Sequence, residues 1–407
     1  MSELGAEARR TSEAGCTAVV NDRGAERVRE GHPWVYAGDI LGWEPAPPPA
    51  TQTTPVGLRD RRGRELGAAD FSPHSQIRLR LLSRSATATD AAFFRQRLEA
   101  ALAYRKLLVR DSEAYRVVAA EADGLPGLIV DRYGSALAVQ TLTWAMAARQ
   151  PLLLELLQEL LEPAVIVERN DVAVRRREGL AMERRLLQGA SPEVEVAING
   201  LRFHFDLLEG QKTGSFLDQR ENWVAAARHA AAAGATQGLD VFTYQGGFAL
   251  HLARAGLAME AVDSSRPALE AGERNAIYNN LAGIEWIEAN AFDLLHDYDQ
   301  AGREFDLVVL DPPAFAKSRT ALGAAAGAYK EINLRALKLL RPGGVLVSCS
   351  CSHHLSETHL LELLAAAAAD ARRPLTILER RGAALDHPAL LSAPETSYLK
   401  CVIGIAR

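Results

Sequence analysis

The chain has 407 residues, of which 48% are hydrophobic and 24% are charged, and this composition is typical of a folded protein with two or three domains. The N-terminal residues lack the apolar core of a signal peptide, and no run of about 18 uncharged apolar residues occurs, so a cytoplasmic protein without membrane segments is expected. A formal net charge of −5 excludes a strongly basic nucleic-acid-binding protein, so local patches would have to hold any nucleic acid.

The order of apolar, polar and turn residues changes twice along the chain, which predicts three domains and an α/β fold overall. Residues 16–86 alternate short apolar runs with turns around the proline-rich loop "EPAPPPATQTTP", a pattern that indicates a small β-rich domain. Residues 91–200 mix helical and strand patterns and predict a central α+β domain. Residues 201–407 alternate strands with longer helices, which is typical of a doubly wound parallel sheet.

Seven strands are predicted in this last domain, and the sheet is expected to end in an antiparallel pair because a short proline-rich loop joins the last two. They are 239–243, 258–263, 284–289, 305–311, 344–350, 375–380 and 398–406. In such sheets ligands bind at the carboxyl ends of the strands, near the point where strand order reverses. We therefore expect the catalytic and ligand-binding residues at the ends of the strands.

The first two strands of this domain end in features that suit a nucleoside cofactor. Gly246 and Gly247 form a turn before a helix predicted from Phe248, where a ligand could approach the backbone, although a plain turn is also possible. Asp263 ends the second strand and could accept the hydroxyls of a ribose or cap the next helix. Because no full G-x-G-x-x-G is present, S-adenosylmethionine is favoured over a dinucleotide.

The fourth strand ends in "DPPAFAKS". Asp311 could hydrogen-bond the edge of a nucleobase, the prolines Pro312 and Pro313 stiffen the turn, and Phe315 offers a ring for stacking. The same tripeptide also occurs in ordinary loops. Its position at the end of a buried strand favours a role in substrate binding.

The fifth strand ends in "SCSCSHH". Cys349 should lie within the sheet as a small buried side chain, whereas Cys351, two residues later, should reach the carboxyl edge beside Asp311. A metal site built from this run is disfavoured, since all its ligands would come from six consecutive residues. Four cysteines are too few for a disulfide framework, and Cys16 and Cys401 are interpreted as packing residues.

Several motifs, in order, carry a family resemblance over almost the whole chain. "RVREGHPWVYAGDI", "EADGLPGLIVDRYG", "KTGSFLDQR", "DVFTYQGGF", "DPPAFAKS" and "SCS" are similar to the PUA-containing, class I S-adenosylmethionine-dependent family that methylates carbon 5 of cytosine in 23S ribosomal RNA. The resemblance implies a PUA-like RNA-binding domain (16–86), a central domain (91–200) and a Rossmann-like methyltransferase domain (201–407). It also implies the cofactor residues Gln219, Arg220, Asp240, Phe242, Gly246, Gly247, Asp263, Asn290 and Asp311.

The same resemblance implies a mechanism in which Cys351 adds to carbon 6 of the cytosine while Asp311 holds the ring. Asn290 stands where many class I enzymes carry an acid for adenine, and the base that removes the carbon 5 proton is unidentified. The expected partner is 23S ribosomal RNA or a large-subunit particle, and a homodimer is left open. A methyltransferase acting on a guanine ring nitrogen and a non-catalytic RNA-binding or assembly protein are the alternative functions.

Two basic clusters, residues 59–64 and 169–185, are the strongest candidates for phosphate contacts. A solvated face of mixed charge is the alternative interpretation of each.

Overall fold

The computed structural model describes residues 15–51, 55–85, 89–316 and 322–407. The segment 1–14, part of the proline-rich loop and the last residues of "DPPAFAKS" lie outside these ranges. Within them, sheets of six, five, two and seven strands follow one another along the chain. No helix in these ranges combines the length and the apolar character needed to cross a membrane.

The N-terminal sheet has the strand order β2-β6-β5-β4-β1-β3, and its strands are β1 (Thr17–Val20), β2 (Trp34–Tyr36), β3 (Ile40–Glu44), β4 (Val56–Asp60), β5 (Glu65–Phe71) and β6 (Ile77–Ser83). The predicted β-rich domain is confirmed, with the addition of helix α1 (Asp22–Arg29). Asn21 caps this helix by accepting a hydrogen bond from the Gly24 amide at 2.8 Å. The helix is short and mostly charged, and it buries one face that contains Gly24, Ala25 and Val28.

The central part of the chain contains a five-stranded sheet in the order β11-β10-β9-β8-β7, packed against helices. Its elements are α2 (Ala91–Leu108), β7 (Ala114–Ala119), β8 (Leu128–Tyr133), β9 (Ala136–Thr141), α3 (Trp144–Ala148), α4 (Gln150–Leu161), β10 (Val165–Arg169), α5 (Val174–Arg177) and β11 (Arg184–Gln188). Strands β9 and β10 are parallel, with α3 and α4 as the crossover between them.

A hairpin of β12 (Glu193–Ile198) and β13 (Leu201–Asp206) follows, so the predicted boundary at residue 200 falls within its turn. Val196, Phe203 and Phe205 on these strands are buried in the same cluster as Trp223 and Phe248 of the C-terminal domain. The hairpin therefore packs on the domain that follows it, while the three domain boundaries themselves stay predictions.

The C-terminal sheet runs β16-β15-β14-β17-β18-β20-β19, with five parallel strands followed by antiparallel pairing at β20, as predicted. Its elements are α6 (Arg220–Ala232), β14 (Gln237–Val241), α7 (Gly247–Arg254), β15 (Ala258–Asp263), α8 (Arg266–Tyr278), β16 (Ile284–Glu288), α9 (Ala291–Gln300), β17 (Phe305–Leu310), α10 (Leu322–Leu339), β18 (Leu340–Ser350), α11 (Glu357–Ala371), β19 (Leu375–Arg381) and β20 (Lys400–Ala406). Apolar side chains of α6, α7 and α8 cover one face, and those of α9, α10 and α11 cover the other.

Strand order reverses between β14 and β17, which pair in parallel from Gly238–Leu307 to Val241–Leu310. The loops that leave the carboxyl ends of β14, β17 and β18 therefore meet at one edge of the sheet. Residues 382–399, between β19 and β20, form a segment of turns and one short 3-10 helix (Pro394–Thr396), which we call the strap. The strap contacts all three parts of the chain: Ala384 N bonds to Asp218 O, Arg105 bonds to Asp386 O, and Ser392 bonds to Gly31 O.

Candidate functional site

A cavity of about 290 Å³ opens where strand order reverses. It is lined by the loop after β14, by residues 263–265 after β15, by Asp311 to Pro313 after β17, and by Cys351 after β18. Residues from the linker between β13 and α6 form the opposite wall. The fold thus brings together most of the strand ends that the sequence singles out.

The glycine pair shapes the loop after β14 and the start of α7. Gly246 has a φ of 81°, a left-handed conformation that favours glycine, and it caps α7. A Cβ added at Gly247 would lie 2.5 Å from the ring of Trp223, so this position has no room for a side chain. Beneath the loop, Asp240 is fully buried and accepts hydrogen bonds from Thr243 Oγ1 at 2.6 Å and from Ala249 N at 3.0 Å.

Asp263 lies at the cavity, where it joins two of the loops that line it. It lines the cavity, and its carboxylate also accepts hydrogen bonds from the Tyr244 amide and the Ser265 amide, each at 2.9 Å. The carboxylate therefore holds the β14 loop against the β15 loop. The N-cap of α8 is Ser265 rather than Asp263.

Asp311 is a half-buried carboxyl group that accepts a hydrogen bond from one neutral side chain. Gln219 Nε2 donates a hydrogen bond to Asp311 Oδ1 at 2.9 Å, and Asn222 in turn donates to Gln219 Oε1 at 2.6 Å. Burial and the nearby charge of Asp218 raise the pKa of Asp311 to about 7, against the lowering effect of Lys212. Asp311 can therefore exchange a proton at neutral pH.

The two cysteines of β18 and its end differ in exposure. Cys349 is 1% exposed and pairs in register with Cys401 on β20, so it packs within the sheet. Cys351 is half-buried, lines the cavity, and places its Sγ 3.8 Å from the Pro312 carbonyl oxygen. Burial and the charge of Asp311 raise the pKa of Cys351 to about 11, while Lys212 lowers it.

Several residues expected at the cofactor or substrate site do not line the cavity, and each has a structural partner. They are Arg220, Asp240, Gly246, Asn290 and Phe315. Arg220 is buried and pairs with Asp386 at 3.0 Å, and Asn290 caps α9 by accepting a bond from Phe292 N at 2.9 Å. Phe315 packs on Tyr329 with ring centroids 4.9 Å apart. The ion pair of Arg220 and the ring packing of Phe315 are tertiary contacts, whereas the cap formed by Asn290 is local.

Lys212 and Asp218 line the cavity and Tyr398 lies beside it, and the sequence patterns did not single out these three residues. Lys212 Nζ bonds to Asp218 Oδ2 at 2.5 Å, and Tyr398 OH donates to the same oxygen at 2.6 Å. Lys212 and Asp218 both lie within the motif "KTGSFLDQR", so that motif was the available signal. Tyr398 comes from the strap, and nothing in its local sequence points to this site.

The two basic clusters are largely engaged within the protein. Arg169 bonds to Leu207 O and Arg175 to Thr141 O, and both side chains are buried. Arg64 pairs with Asp60 at 2.7 Å, in the other cluster. Four of the exposed arginines pair with carboxylates, namely Arg61, Arg64, Arg184 and Arg185, and the other exposed arginines are Arg62, Arg176 and Arg177. Only part of each cluster can therefore face a phosphate backbone.

The cavity suits the amino-acid and ribose portions of S-adenosylmethionine. Gln245 lines it, and its Oε1 is buried without a hydrogen-bond partner in the part of the chain that the structure describes. An unpartnered buried acceptor is unfavourable unless a ligand donor reaches it, and the ammonium group of the cofactor is such a donor. Asp263 on the cavity wall has carboxylate oxygens of the kind that accept hydrogen bonds from ribose hydroxyls. The volume of the cavity is close to that of the smallest known ligand pockets, about 300 Å³.

Comparison with known proteins places the chain in a family. Residues 169–394 match the S-adenosylmethionine-dependent methyltransferase model, and residues 18–84 match a PUA-like domain. S-adenosylmethionine is accordingly the cofactor. The fold is also that of a solved S-adenosylmethionine-dependent methyltransferase from Streptococcus mutans, with a TM-score of 0.80 at 18% identity over 96% of this chain and 99% of that one. The structure of SMU.776 with bound S-adenosylhomocysteine gives a TM-score of 0.81 at the same identity and coverage.

Curated relatives match over nearly the full length. A protein of Shewanella denitrificans named "Ribosomal RNA large subunit methyltransferase I" is 39% identical over 390 residues, which cover 94% of this chain and 97% of that protein. A protein of the same name from Tolumonas auensis is 40% identical over 382 residues, covering 91% and 94%. The chain therefore belongs to the S-adenosylmethionine-dependent methyltransferases, in the family with an N-terminal PUA-like domain that includes the proteins named ribosomal RNA large subunit methyltransferase I.

Proposed function

We propose that this enzyme methylates carbon 5 of a cytosine in 23S ribosomal RNA through a covalent adduct with Cys351. The observation that carries the proposal is that a thiol and a half-buried carboxyl group, Cys351 and Asp311, lie in the cavity that the glycine loop also lines. Methylation of a ring nitrogen needs no thiol, whereas carbon 5 of cytosine becomes nucleophilic only after a nucleophile adds to carbon 6.

The first step joins Cys351 Sγ to carbon 6. The thiolate forms the S–C6 bond, the C5=C6 π electrons shift toward C4, and the C4=N3 π electrons move onto N3. Asp311, with a pKa of about 7, can donate its proton to N3 and so keep charge off the ring. S-adenosylmethionine supplies the methyl group as a sulfonium electrophile. The C4=C5 electron pair then forms the bond from carbon 5 to the methyl group, and the C4=N3 bond re-forms as N3 returns its proton to Asp311. Removal of the carbon 5 proton finally restores the C5=C6 bond and expels the Cys351 thiolate.

Ribosomal RNA is proposed as the substrate because the full-length relatives are named for it. The PUA-like domain supplies a second RNA-binding unit, and the exposed arginines of the two clusters are available for phosphate contacts. Such a substrate favours a cytoplasmic location, and either free RNA or a large-subunit particle would fit the proposal. Since an RNA base must leave its stack to reach a cavity, extrusion of the cytosine is expected.

For the cofactor, we propose that residues on the cavity wall make the direct contacts. Phe242, Gly247, Asp263 and Gln219 lie there, with Pro312 and Pro313 as the adjoining wall for the substrate base. Asp240 and Gly246 would act from beneath by holding the loop in shape.

Replacement of Cys351 by Ala tests the proposal. Methyl transfer to 23S ribosomal RNA and the covalent adduct with 5-fluorocytosine RNA should both be lost, because no nucleophile remains to add to carbon 6. Cys349→Ala, which removes the buried thiol two residues earlier, should keep both and serves as the control. Methylation at the wild-type rate by Cys351→Ala would refute the adduct mechanism.

Nucleoside analysis of the product separates cytosine from guanine chemistry. Digested RNA should contain 5-methylcytidine and no new 7-methylguanosine. The opposite result would assign the enzyme to a guanine ring nitrogen, and the absence of any product despite bound cofactor would favour an RNA-binding or assembly role.

A further inference from the structure

Lys212 occupies a position in the cavity that the proposed reaction leaves without a role. Among the described residues that line the cavity, it carries the one cationic side chain. Its Nζ bonds to Asp218 at 2.5 Å and lies 4.5 Å from the centroid of the Phe216 ring. An ammonium group has three N–H donors, so this arrangement leaves donors for a ligand in the cavity.

The fold holds Lys212 there in a strained conformation. Its φ of 54° lies in the left-handed region, which is unfavourable for a lysine by about 1–3 kcal/mol. Phe242 and Tyr244, on the facing wall of the same cavity, have φ values of 67° and 52°. Such strain persists where the surrounding structure imposes it, and it concentrates at functional sites.

The central part of the chain anchors the linker that carries Lys212. Thr213 Oγ1 donates to Asp131 Oδ2 at 2.6 Å, and the Ser215 amide donates to Tyr133 OH at 3.1 Å. On the other side, the Gln211 amide donates to Tyr244 OH at 2.9 Å. Hydrogen bonds thus hold the residues on both sides of Lys212 to two parts of the fold, β8 and the loop after β14, and these bonds fix the position of the Lys212 backbone.

The charge of Lys212 acts on both reactive groups. It lowers the pKa of Asp311 and the pKa of Cys351, against the larger effect of burial in each case. Other charged or titratable groups from the elements around Cys351 are Asp311, Asp218, Tyr329 and Lys400. Lys400 bonds to the carbonyl oxygens of Ser352 and Tyr398, each at 2.7 Å, and is absent from the cavity wall.

Addition of a thiolate to cytosine creates a need for a cation. The electron pair that leaves the C5=C6 bond is delocalised over N3 and the O2 carbonyl. Asp311 can donate a proton to only one of these atoms. A fixed cation in a cavity shielded from water stabilises such developing charge far better than solvent does.

We propose that Lys212 is a catalytic residue, whose ammonium group donates a hydrogen bond to the O2 carbonyl of the target cytosine while Asp218 holds that group in place. The proposal rests on the cytosine adduct proposed above. It assigns Asp311 to N3, Lys212 to O2 and Cys351 to carbon 6, so three side chains address three atoms of one ring.

Lys212→Met tests this role against a matched control. Lys330→Met removes a lysine of similar exposure (38% against 33%) that also has one carboxylate partner, Asp370 at 2.7 Å. Single-turnover formation of the 5-fluorocytosine adduct should slow by about 10²–10³-fold in Lys212→Met and stay unchanged in the control. The affinity for S-adenosylmethionine, measured by calorimetry, should be unchanged in both.

A second readout needs neither RNA nor cofactor. The rate of Cys351 alkylation by iodoacetamide, followed by peptide mass spectrometry as a function of pH, should shift to higher pH in Lys212→Met because the lost cation no longer favours the thiolate. Lys212→Arg keeps the charge, so it should retain the wild-type profile and part of the adduct-forming rate. This variant also keeps a cation beside Asp218 if the methionine variant does not fold.

Three results would overturn the role of Lys212. They are adduct formation at the wild-type rate in Lys212→Met, an unchanged alkylation profile, or a loss of activity explained by weakened cofactor binding, which would assign Lys212 to the cofactor. Full methylation by Cys351→Ala would instead overturn the cytosine adduct itself, and the alkylation profile would still report the electrostatic effect of Lys212 on the thiol.

Discussion

Asp311 and Cys351 oppose one another electrostatically. The carboxylate raises the pKa of the thiol, and the thiol must ionise before it can add to the ring. Because burial and Asp218 raise the pKa of Asp311 to about 7, protonation of Asp311 removes its opposing charge near neutral pH. A proton on Asp311 thus favours the thiolate and can also be donated to N3.

Asp311→Asn should therefore have two effects of opposite sign. Above about pH 7 it removes a negative charge beside Cys351, so iodoacetamide should alkylate Cys351 faster than in the wild type. Methyl transfer should nevertheless fall by about 10²–10⁴-fold, because an amide has no proton to exchange at N3. Alkylation is followed by peptide mass spectrometry, and methyl transfer by a radiolabelled methyl group.

The control for this pair of measurements is Asp370→Asn, a change to a half-exposed carboxylate on α11. Asp370→Asn should change neither the rate of Cys351 alkylation nor the rate of methyl transfer. Slower alkylation in Asp311→Asn would contradict the electrostatic argument, and unchanged methylation would remove Asp311 from the reaction.

At the scale of the element, the turn between β14 and α7 is tightly packed from below. Gly246 faces Trp286, whose ring atoms would lie 2.6 Å from an added Cβ, and Gly247 faces Trp223 at 2.5 Å. Because these glycines have no side chain, the loop packs directly against the two indole rings. The cavity lies above the same loop, so its floor depends on that packing.

Gly247→Ala should destabilise the protein by about 1–3 kcal/mol, because the new methyl group forces Trp223 or the start of α7 to move. Affinity for S-adenosylmethionine should fall with it, since the loop forms the cavity floor. Thermal unfolding and calorimetric titration measure the two effects.

Gly327→Ala is the matched change on α10, where nothing lies within 4 Å of the added Cβ and φ is not positive. It should raise stability by about 0.5–1 kcal/mol, as expected for alanine in an exposed helix. A loss of stability equal in the two variants would show that the indole contact is unimportant.

At the scale of the whole molecule, the strap joins the central and C-terminal parts of the chain around one buried carboxylate, and Ser392 ties it to the N-terminal part. Asp386 Oδ1 pairs with Arg220 at 3.0 Å, and its Oδ2 accepts a bond from the Arg116 amide at 2.8 Å. Burial opposes ionisation of Asp386, but His387 and Arg220 outweigh it and lower its pKa. Arg220, expected at the cofactor, instead links α6 to the strap.

Asp386→Ala should lower the free energy of unfolding by about 3–5 kcal/mol, because Arg220 would be left buried without its carboxylate. Urea denaturation at neutral pH measures the loss. Since the pKa of Asp386 is lowered by folding, its contribution is present above the unfolded pKa of about 3.9 and is lost as the pH falls below it. The difference from the wild type should therefore shrink in acid.

Asp370→Ala breaks the half-exposed pair with Lys330 and should change stability by no more than about 1 kcal/mol. If Asp386→Ala is no more destabilising than this control, the strap does not hold the parts of the chain together through its buried carboxylate.

Much of the fold follows from the sequence by itself. Runs of buried apolar residues located the strands of the C-terminal sheet, and β15 was bounded correctly at 258–263. Paired glycines and strand-terminal Asp263, Asp311 and Cys351 marked the cavity, because backbone geometry and the carboxyl edge of a parallel sheet are local properties of a chain.

The tertiary structure decided which side chains reach that cavity. Lys212 enters because contacts with the central part of the chain hold its linker, and Tyr398 of the strap donates a hydrogen bond to Asp218 on the cavity wall. Arg220 and Asn290 are kept out by an ion pair and a helix cap. The cap formed by Asn290 is local, but the other outcomes depend on partners far away in the sequence, and the favourable pairing of a buried charge cannot be read from the residues beside it.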